Sequence, residues 1–503
     1  MSCIAHSRPP RFSHHVTPTL SQTTMTGIIK DLPRVAIVVT AFSWSIYCLF
    51  LERIHWRVAE SCASPSTTPH FKTHALPSLL LFGGRIAIGY LALFIIDKVF
   101  IVPIFFDNLG HVPGPLVSRF TALWLMWKGY NNQSNQYVHG LHLRYGPAVR
   151  IAPNFVSFNC ICSIPSIYGV RSNFPKNQSA ASMDNYGKPN TFSSSANDDH
   201  RRRRNRYASA YSKSVMTTGA AYAGFLRRTT MVLDEIKRAT IDGRSVDIYS
   251  LFHFYSIDNA SVITLGRSPR LLEGRNREIS KDLRDMFKGL SYVFYFGMTK
   301  AAMKYFPSSR NYIPGSLLLA IEAHEKVETY NLAQYEIAVK AEAREFKQSV
   351  LARLMSHKDY GSGDLTTMHV ASEIGDHLLA GLYTPLFFLP LRLTFFLGAD
   401  TLVASLTYIF WELALPHNFA HLARLITELN LLTFDETGMP TSYKELDALP
   451  WLECCLREGL RLHTPSGNIQ SRVVPSEGAF IDGDWIPGKV GFHITSFSNM
   501  YGN

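Results

Sequence analysis

Apolar positions at helical spacing dominate the chain between Glu373 and Pro416. Ile374, Leu378 and Leu379 fall on one helical stripe, and Leu402, Leu406, Ile409, Phe410 and Leu413 fall on another. Between them stands LYTPLFFLPLRLTFFLG, residues 382–398, where Pro385 and Pro390 would each cost about 3 kcal/mol inside a helix. The pattern predicts two helical halves of one element, separated by a middle piece that cannot be helical throughout. Upstream, Leu123 to Leu143 has a helical pattern and Tyr145-Gly-Pro147 is a turn. Ala148 to Ser157 reads as extended, with Val149, Ile151 and Val156 suited to a small sheet. Asp247 to Asp258, with Leu265-Gly266 beyond it, reads as a core helix, and residues 270–360 read as mixed helical segments. Within them Glu322, Glu325, Lys326 and Glu328 suit solvent faces, whereas Tyr292, Phe294, Tyr295 and Phe296 suit the core. Leu446 to His463 reads as a helix with Leu452, Leu456 and Leu460 on one stripe, and Gly483-Asp-Trp-Ile-Pro-Gly488 as a hairpin. The fold class is mainly α with a small β-sheet.

The N-terminal part has a different character. Residues 1–34 are rich in Ser, Thr, Pro and His and read as disordered. Val35 to Leu51 is a 17-residue apolar run, at the short limit for spanning a bilayer. A second run, Leu76 to Ile96, is interrupted by Gly83, Gly84 and Arg85, and apolar residues resume at Val99 to Phe106. Their place ahead of the periodic region makes residues 35–106 an expected membrane anchor, with a transmembrane helix. His111-Val-Pro-Gly-Pro115 then marks a boundary, because Pro-Gly-Pro stops a helix and stiffens the chain.

Composition narrows the partners. The 503 residues carry a formal charge of +11, which suits an anionic membrane surface or an acidic protein. Without zinc-ligand spacing, RNA-binding aromatic motifs or a phosphate-binding loop, nucleic acid is excluded as the expected partner. The seven cysteines (Cys3, Cys48, Cys62, Cys160, Cys162, Cys454 and Cys455) form no disulfide framework and read as buried thiols where paired in sequence.

With residues 382–398 removed, the two halves join as DHLLAGADTLVASLTYIFWELALP. This closely resembles the oxygen-binding helix of the cytochrome P450 family, whose signature is Ala/Gly-Gly-x-Asp/Glu-Thr. Other motifs resemble the family in the family's order. HLRYGPAVRIAPNFVSF followed by Ile167-Tyr168-Gly169 is similar to the first strand pair of filamentous-fungal members. In FSSSANDDHRRRRNRYASAYSKSVM, Asp198 and Asp199 suit a helix start, and His200 and Arg204 lie four apart on one helix face. Glu458-Gly-Leu-Arg461 matches the family Glu-x-x-Arg, and Arg472 before Val-Val-Pro matches a further family arginine.

The resemblance implies haem as cofactor, with dioxygen and NADPH-derived electrons delivered by an NADPH-cytochrome reductase. His200, Arg204 and Arg472 would hold the haem propionates, since a guanidinium grips a carboxylate bidentately. Ala380-Gly381 would make room for dioxygen against the haem, and Asp400 and Thr401 would be the catalytic acid and alcohol that relay protons. Glu458 and Arg461 would form a structural core pair, interacting on burial. The remaining arginines of the run would help form a basic face for the reductase. The implied reaction is monooxygenation of an apolar small molecule in fungal secondary metabolism, on the cytosolic face of the endoplasmic reticulum membrane.

Two departures bear on this expectation. The family places one residue between the Gly and the Asp, so residues 382–398 read as a 17-residue insert, the translation of a retained in-frame intron. The rival reading makes Leu386 to Leu397 an added membrane helix, although it is short and contains Pro390 and Arg392. The family's thiolate motif, Phe-x-x-Gly-x-Arg-x-Cys-x-Gly, is absent from residues 107–503, and none of the seven cysteines lies in such a context. The other classes are therefore an inactive truncated remnant of such an enzyme and a non-enzymatic polytopic membrane protein.

Overall fold

A computed structural model of the chain describes residues 88–90, 92–94, 96, 97, 101, 107–160, 163–169, 172–177, 184–295, 303, 306–341, 345–380, 399–436, 438–441, 443–463 and 471–494. The disordered N-terminus, the run Val35–Leu51, most of Leu76–Phe106, Gly381 and the insert 382–398 lie outside them. Among the described residues no helix is long and apolar enough to cross a membrane. The chain divides into two compact units, one of residues 1–111 and 115–121, the other of residues 112–114 and 122–503, so the boundary runs through the Pro-Gly-Pro cluster. All elements named below belong to the second unit.

Helices α1 (Leu123–Tyr130) and α2 (Ser134–Tyr145) replace the single helix expected over 123–143. The break is at Asn132, whose φ of 55° is left-handed and cannot be continued as a right-handed helix. Strands β1 (Ala148–Ala152) and β2 (Phe155–Phe158) pair antiparallel, as the sequence predicts. Short α3 (Ile164–Tyr168) leads to a loop and then to α4 (Asn197–Asn205), the helix of the arginine run.

The helical layer follows as α5 (Gly219–Ile241), α6 (Ile248–Leu265), α7 (Glu278–Tyr295), α8 (Gly315–Lys340), α9 (Val350–Met355), α10 (Thr367–Ala380) and α11 (Ala399–Ala414). α6 is the centre of this layer. Asp247 caps its N-terminus by accepting from Ser250 N–H, and Gly266 ends it at φ 83°. Every residue from Ser256 to Leu265 is buried, because the helix packs against α5, α7, α8, α9, α10 and α11. One core cluster unites Leu265 with Tyr335, Leu351, Leu354, Ile374 and Leu378.

α11 contacts α12 (Phe419–Leu429) and α13 (Pro450–Leu462), which also pack on each other. α13 starts at Pro450 rather than Leu446, since proline suits the first helical position, where no N–H is needed. Gly459 of α13 permits the approach to α11, since a Cβ there would lie 2.3 Å from Ile409 Cγ1. Strands β3 (Arg472–Val473), β4 (Ala479–Ile481), β5 (Asp484–Ile486) and β6 (Gly491–Ile494) complete the fold. β6 enters the first sheet in the order β1-β2-β6-β3, parallel to β2 and antiparallel to β3. β4 and β5 form a separate hairpin. Its turn is at Asp482-Gly483, both with positive φ, which places the hairpin earlier than the sequence span Gly483–Gly488.

α10 and α11 are neighbours that touch each other. A straight helix continued from Ala380 to Ala399 would hold those residues about 28 Å apart. The two halves are therefore separate helices that meet each other and both pack on α6.

Candidate cofactor-binding site

The arginine run shows how charge is allocated around α4. Arg201 pairs with Asp198, and Arg202 with both Asp199 and Asp364. The buried Arg203 lies 3.0 Å from Asp199 and also donates to Pro189 O at 3.2 Å, while Arg206 pairs with Asp364 at 2.8 Å. Arg204 differs. Among the described residues no carboxylate forms an ion pair with Arg204 or with Arg472. Of the run, Arg203 and Arg206 bury their side chains against Asp199 and Asp364, whereas Arg201 and Arg202 stay exposed beside their aspartates.

Arg204 and His200 share the inner side of α4, and other elements bring further cations to them. Burial, together with the charges of Lys176, Arg204 and Arg472, lowers the His200 imidazole to about 4, against an opposing pull from Glu373. Lys176 bridges backbone to backbone with Arg472, and the flanking bonds Val473 N–H to Pro175 O at 2.9 Å and Asn177 N–H to Ser471 O at 3.3 Å fix that register. The Arg472 guanidinium lies 4.9 Å from the centre of the Tyr168 ring, whose hydroxyl accepts from Ile494 N–H at 3.2 Å. Thus α4, the loop around Lys176 and strand β3 bring together two arginines, a lysine and a histidine.

The facing side comes from α10. Glu373 is buried and accepts from Thr191 N–H at 3.1 and 3.3 Å. His377 Nε2 lies 3.4 Å from Glu373 Oε1, and His377 Nδ1 meets the Tyr211 hydroxyl at 3.1 Å. Burial acts to raise the Glu373 carboxyl, but His377, Thr191 and Arg203 together hold it below its ordinary value. Asp376, one residue before His377, accepts from Phe192 N–H, and its burial lifts it to about 7 although His377 and Lys176 oppose the rise. Lys176 Nζ donates to Thr191 O at 3.0 Å and to Phe192 O at 2.9 Å. Burial lowers Lys176 to about 8, with Arg472 adding to the effect and Asp376 and Glu373 resisting it.

Other expected residues occupy stated places without being joined to this cluster. Ala380 is the last residue of α10, Asp400 and Thr401 stand in the first turn of α11, and Gly381 lies outside the described residues. Glu458 and Arg461 pair at 2.7 Å, but at 55% and 41% side-chain exposure they stand at the surface of α13, not in the core. Cys160 follows β2, and Cys454 and Cys455 lie on α13, of which Cys454 is exposed. Sequence reasoning passed over Lys176, Glu373 and Asp376. Lys176 carries no local signal, because its role comes from the bridge to Arg472, 296 residues further on.

The cation set suits a ligand with more than one carboxylate, since two guanidiniums lack carboxylate partners among the described residues. It fits the two propionates of haem. The family model described as Cytochrome P450 matches residues 113–387. Pisatin demethylase of Fusarium vanettenii is 25% identical over 77% of this chain and 72% of that protein. Cytochrome P450 monooxygenase tazI of Aspergillus terreus is 25% identical over 76% of this chain and 72% of that protein. Cytochrome P450 monooxygenase gsfF of Penicillium aethiopicum is 27% identical over 81% and 78%. Among solved structures, retinoic acid-bound cyanobacterial CYP120A1 is alike in fold, with a TM-score of 0.52 and 15% identity over 74% of this chain and 75% of that one.

Proposed function

The chain belongs to the cytochrome P450 family, and from that membership we propose that it serves monooxygenation of an apolar small molecule in fungal secondary metabolism. The family works with haem, dioxygen and electrons from a reductase. Haem supplies the iron at which dioxygen is activated. This chain's own part is to hold the haem carboxylates with Arg204, Arg472, Lys176 and His200, and to hold and pass protons at Asp400 and Thr401. The observation that carries the reading is the convergence of Arg204, Arg472 and Lys176 around the neutral His200, with Arg204 alone in its run lacking a carboxylate partner among the described residues. Fungal relatives described as monooxygenases, and one as a demethylase, support the reaction class.

The test is haem retention by the full chain, expressed with haem supplementation and compared with the Arg204→Leu and Arg472→Leu variants. Each variant is expected to lose at least tenfold in haem occupancy at unchanged far-UV circular dichroism. That corresponds to losing about 1.4 kcal/mol or more of charge-assisted hydrogen bonding. Haem that does not co-purify, or occupancy equal in all three proteins, overturns the site assignment. A thiolate-type spectrum of the reduced, carbon monoxide-bound protein is the second readout, since it reports the iron ligand on which the chemistry depends.

The same reading places the domain on the cytosolic face of the endoplasmic reticulum membrane, held by the apolar runs before residue 107. Asn132-Gln-Ser is a glycosylation sequon in an exposed turn. A glycan found on Asn132 would put the domain in the lumen and refute the placement.

A further inference from the structure

α4 presents its charged side chains on distinct stripes. Successive residues of a helix lie about 100° apart, so His200 and Arg204 form one stripe and Arg202 and Arg206 another, about 160° round the helix from it. Arg206 caps α4 and its backbone is still right-handed helical, with φ −65° and ψ −28°. One carboxylate takes both members of the second stripe: Asp364 Oδ1 accepts from Arg206 Nη2 at 2.8 Å, and Asp364 Oδ2 lies 2.9 Å from Arg202 Nη2. The Arg206 side chain is buried there, whereas Arg202 stays more than half exposed. The hydrogen bond from Arg206 holds the Asp364 carboxyl below its ordinary value, so the grip is ionic through the neutral range.

Asp364 is itself fixed. It stands three residues before α10, between Gly363, with φ 53°, and Leu365. Leu365 N–H donates to Ser362 O at 2.9 Å, and Gly361 N–H donates to Leu365 O at 3.0 Å. The Leu365 side chain is buried in the core cluster that also holds Tyr207, the residue after Arg206. Thr366 Oγ1 meets His369 Nδ1 at 2.7 Å where α10 begins. The Asp364 carboxylate is therefore tied to the base of α10, the helix that brings Glu373 to the other side of the cation cluster.

We infer that Asp364 is a positioning residue for the ligand site: by gripping α4 through Arg202 and Arg206 it fixes the rotation of the helix about its axis, and so aims Arg204 at a ligand carboxylate. The inference rests on the assignment of the cluster to haem propionates. Asp364 acts through Arg204, from the far side of the helix. Side chains end about 5–6 Å from a helix axis, so a rotation of about 30° carries them about 3 Å, the length of a hydrogen bond. Other contacts hold earlier parts of α4. Asn197 Nδ2 donates to Ser172 O at 3.4 Å and Ser194 Oγ donates to Asp199 in the first turn, and Arg203 Nη1 donates to Pro189 O at 3.2 Å. The pairs of Arg202 and Arg203 with Asp199 lie within the helix and turn with it. Asp364 adds the hold on the last turn, where Arg204 stands.

The probe is metal-free protoporphyrin IX, with its dimethyl ester as the control for carboxylate recognition. Binding of each to the full chain is followed by quenching of tryptophan fluorescence, and the readout is the ratio of the two affinities. If the wild type binds the ester as well as the diacid, the assignment of the cluster fails and the inference falls with it. With the diacid preferred, Arg204→Leu should lower the ratio about tenfold and Asp364→Asn about threefold or more. In the double variant the ratio should fall no further than in Arg204→Leu, because the side chain that Asp364 aims is already gone. A purely structural loss would instead multiply the two effects. Asp364→Glu keeps the charge and should hold the ratio within about twofold of the wild type. An unchanged ratio in Asp364→Asn, multiplied losses in the double variant, or a Glu variant no better than Asn overturns the inference and leaves the cluster assignment standing. Arg202→Gln releases the exposed end of the grip and leaves the buried Arg206 paired, so it serves where Asp364→Asn does not fold. A fall of about twofold in the ratio is expected there, and no fall refutes the positioning role.

Discussion

Deleting residues 382–398 is the perturbation that most directly tests how the halves of the inner helix are related. It joins Gly381 to Ala399, so that α10 and α11 can run on as one helix. In the joined numbering Asp376, Ala380 and Thr401 fall four residues apart in succession, on a single stripe. Thr401 would then lie about 12 Å along the axis from Asp376. A helix built through the insert would instead carry Thr401 about 25 Å further and turn it by roughly 100°, because 17 residues are not a whole number of turns. The contact between α10 and α11 already excludes that geometry.

The energetic expectation follows from the connection. Closing a chain of 18 residues between two docked helix ends costs about 2.5 kcal/mol of entropy on (3/2)RT ln n scaling, and the deletion removes that cost. Restored backbone hydrogen bonds across the junction add a few tenths to about 1.5 kcal/mol each. Packing contributed by the apolar side chains of the segment acts the other way. We expect the deleted chain to be more stable by about 2 to 3 kcal/mol in urea unfolding followed at 222 nm, with a higher midpoint and increased helical signal. A midpoint equal to or below that of the full chain would refute the reasoning, because the segment would then supply at least as much packing as its closure costs. The spliced message gives an independent check. Transcripts that all retain codons 382–398 would sink the idea that the segment is an intron.

Two further outcomes can be checked on the full chain. Gly459→Ala should destabilise by about 1 kcal/mol: the new Cβ meets Ile409 Cγ1 at 2.3 Å, and overpacking of about 1–3 kcal/mol exceeds the helix-propensity gain of about 1. A urea midpoint higher than wild type would show that α11 and α13 part without cost. Asp199 should make folding acid-sensitive. Burial opposes its ionisation, but hydrogen bonds from Ser194, Arg203 and Arg202 hold it at about 2. Its folded-state value is depressed, so its stabilisation is present above about 4 and lost as pH falls toward 2, amounting to about 1 kcal/mol after solvent screening. In Asp199→Asn the difference in stability between pH 5 and pH 2.5 should shrink by that amount, and an unchanged difference would remove Asp199 from the account.

Local chemistry made part of this molecule legible. The extended stretch Ala148 to Ser157, the apolar run from Asp247 to Leu265 and the stripe on Leu452, Leu456 and Leu460 each correspond to an observed element. The single helix expected over 123–143 failed at Asn132, where a left-handed residue breaks a pattern that periodicity alone would continue. The Glu458–Arg461 spacing correctly gave a pair, but spacing on one helix says nothing of what covers it, and the pair is exposed.

The arginine run shows why the remainder was hidden. Five nearly adjacent guanidiniums look alike in sequence, and what separates them is carboxylates elsewhere. Asp198 and Asp199 stand on the same helix and were legible as helix-start charges, whereas Asp364, which takes Arg202 and Arg206, lies more than 150 residues away. Only the tertiary pairing leaves Arg204 as the guanidinium directed to the cluster. The same holds on the other side of the site. Asp376 and Glu373 sit in the stretch with the strongest motif, yet acids on a helix ordinarily mark its solvent face. Here Glu373 faces inward because the backbone N–H of Thr191 and the neighbouring His377 give a buried carboxylate the partners it requires. The site is thus a consequence of charge compensation between distant segments. The two guanidiniums that this compensation leaves over are what the proposed fit to a dicarboxylate rests on.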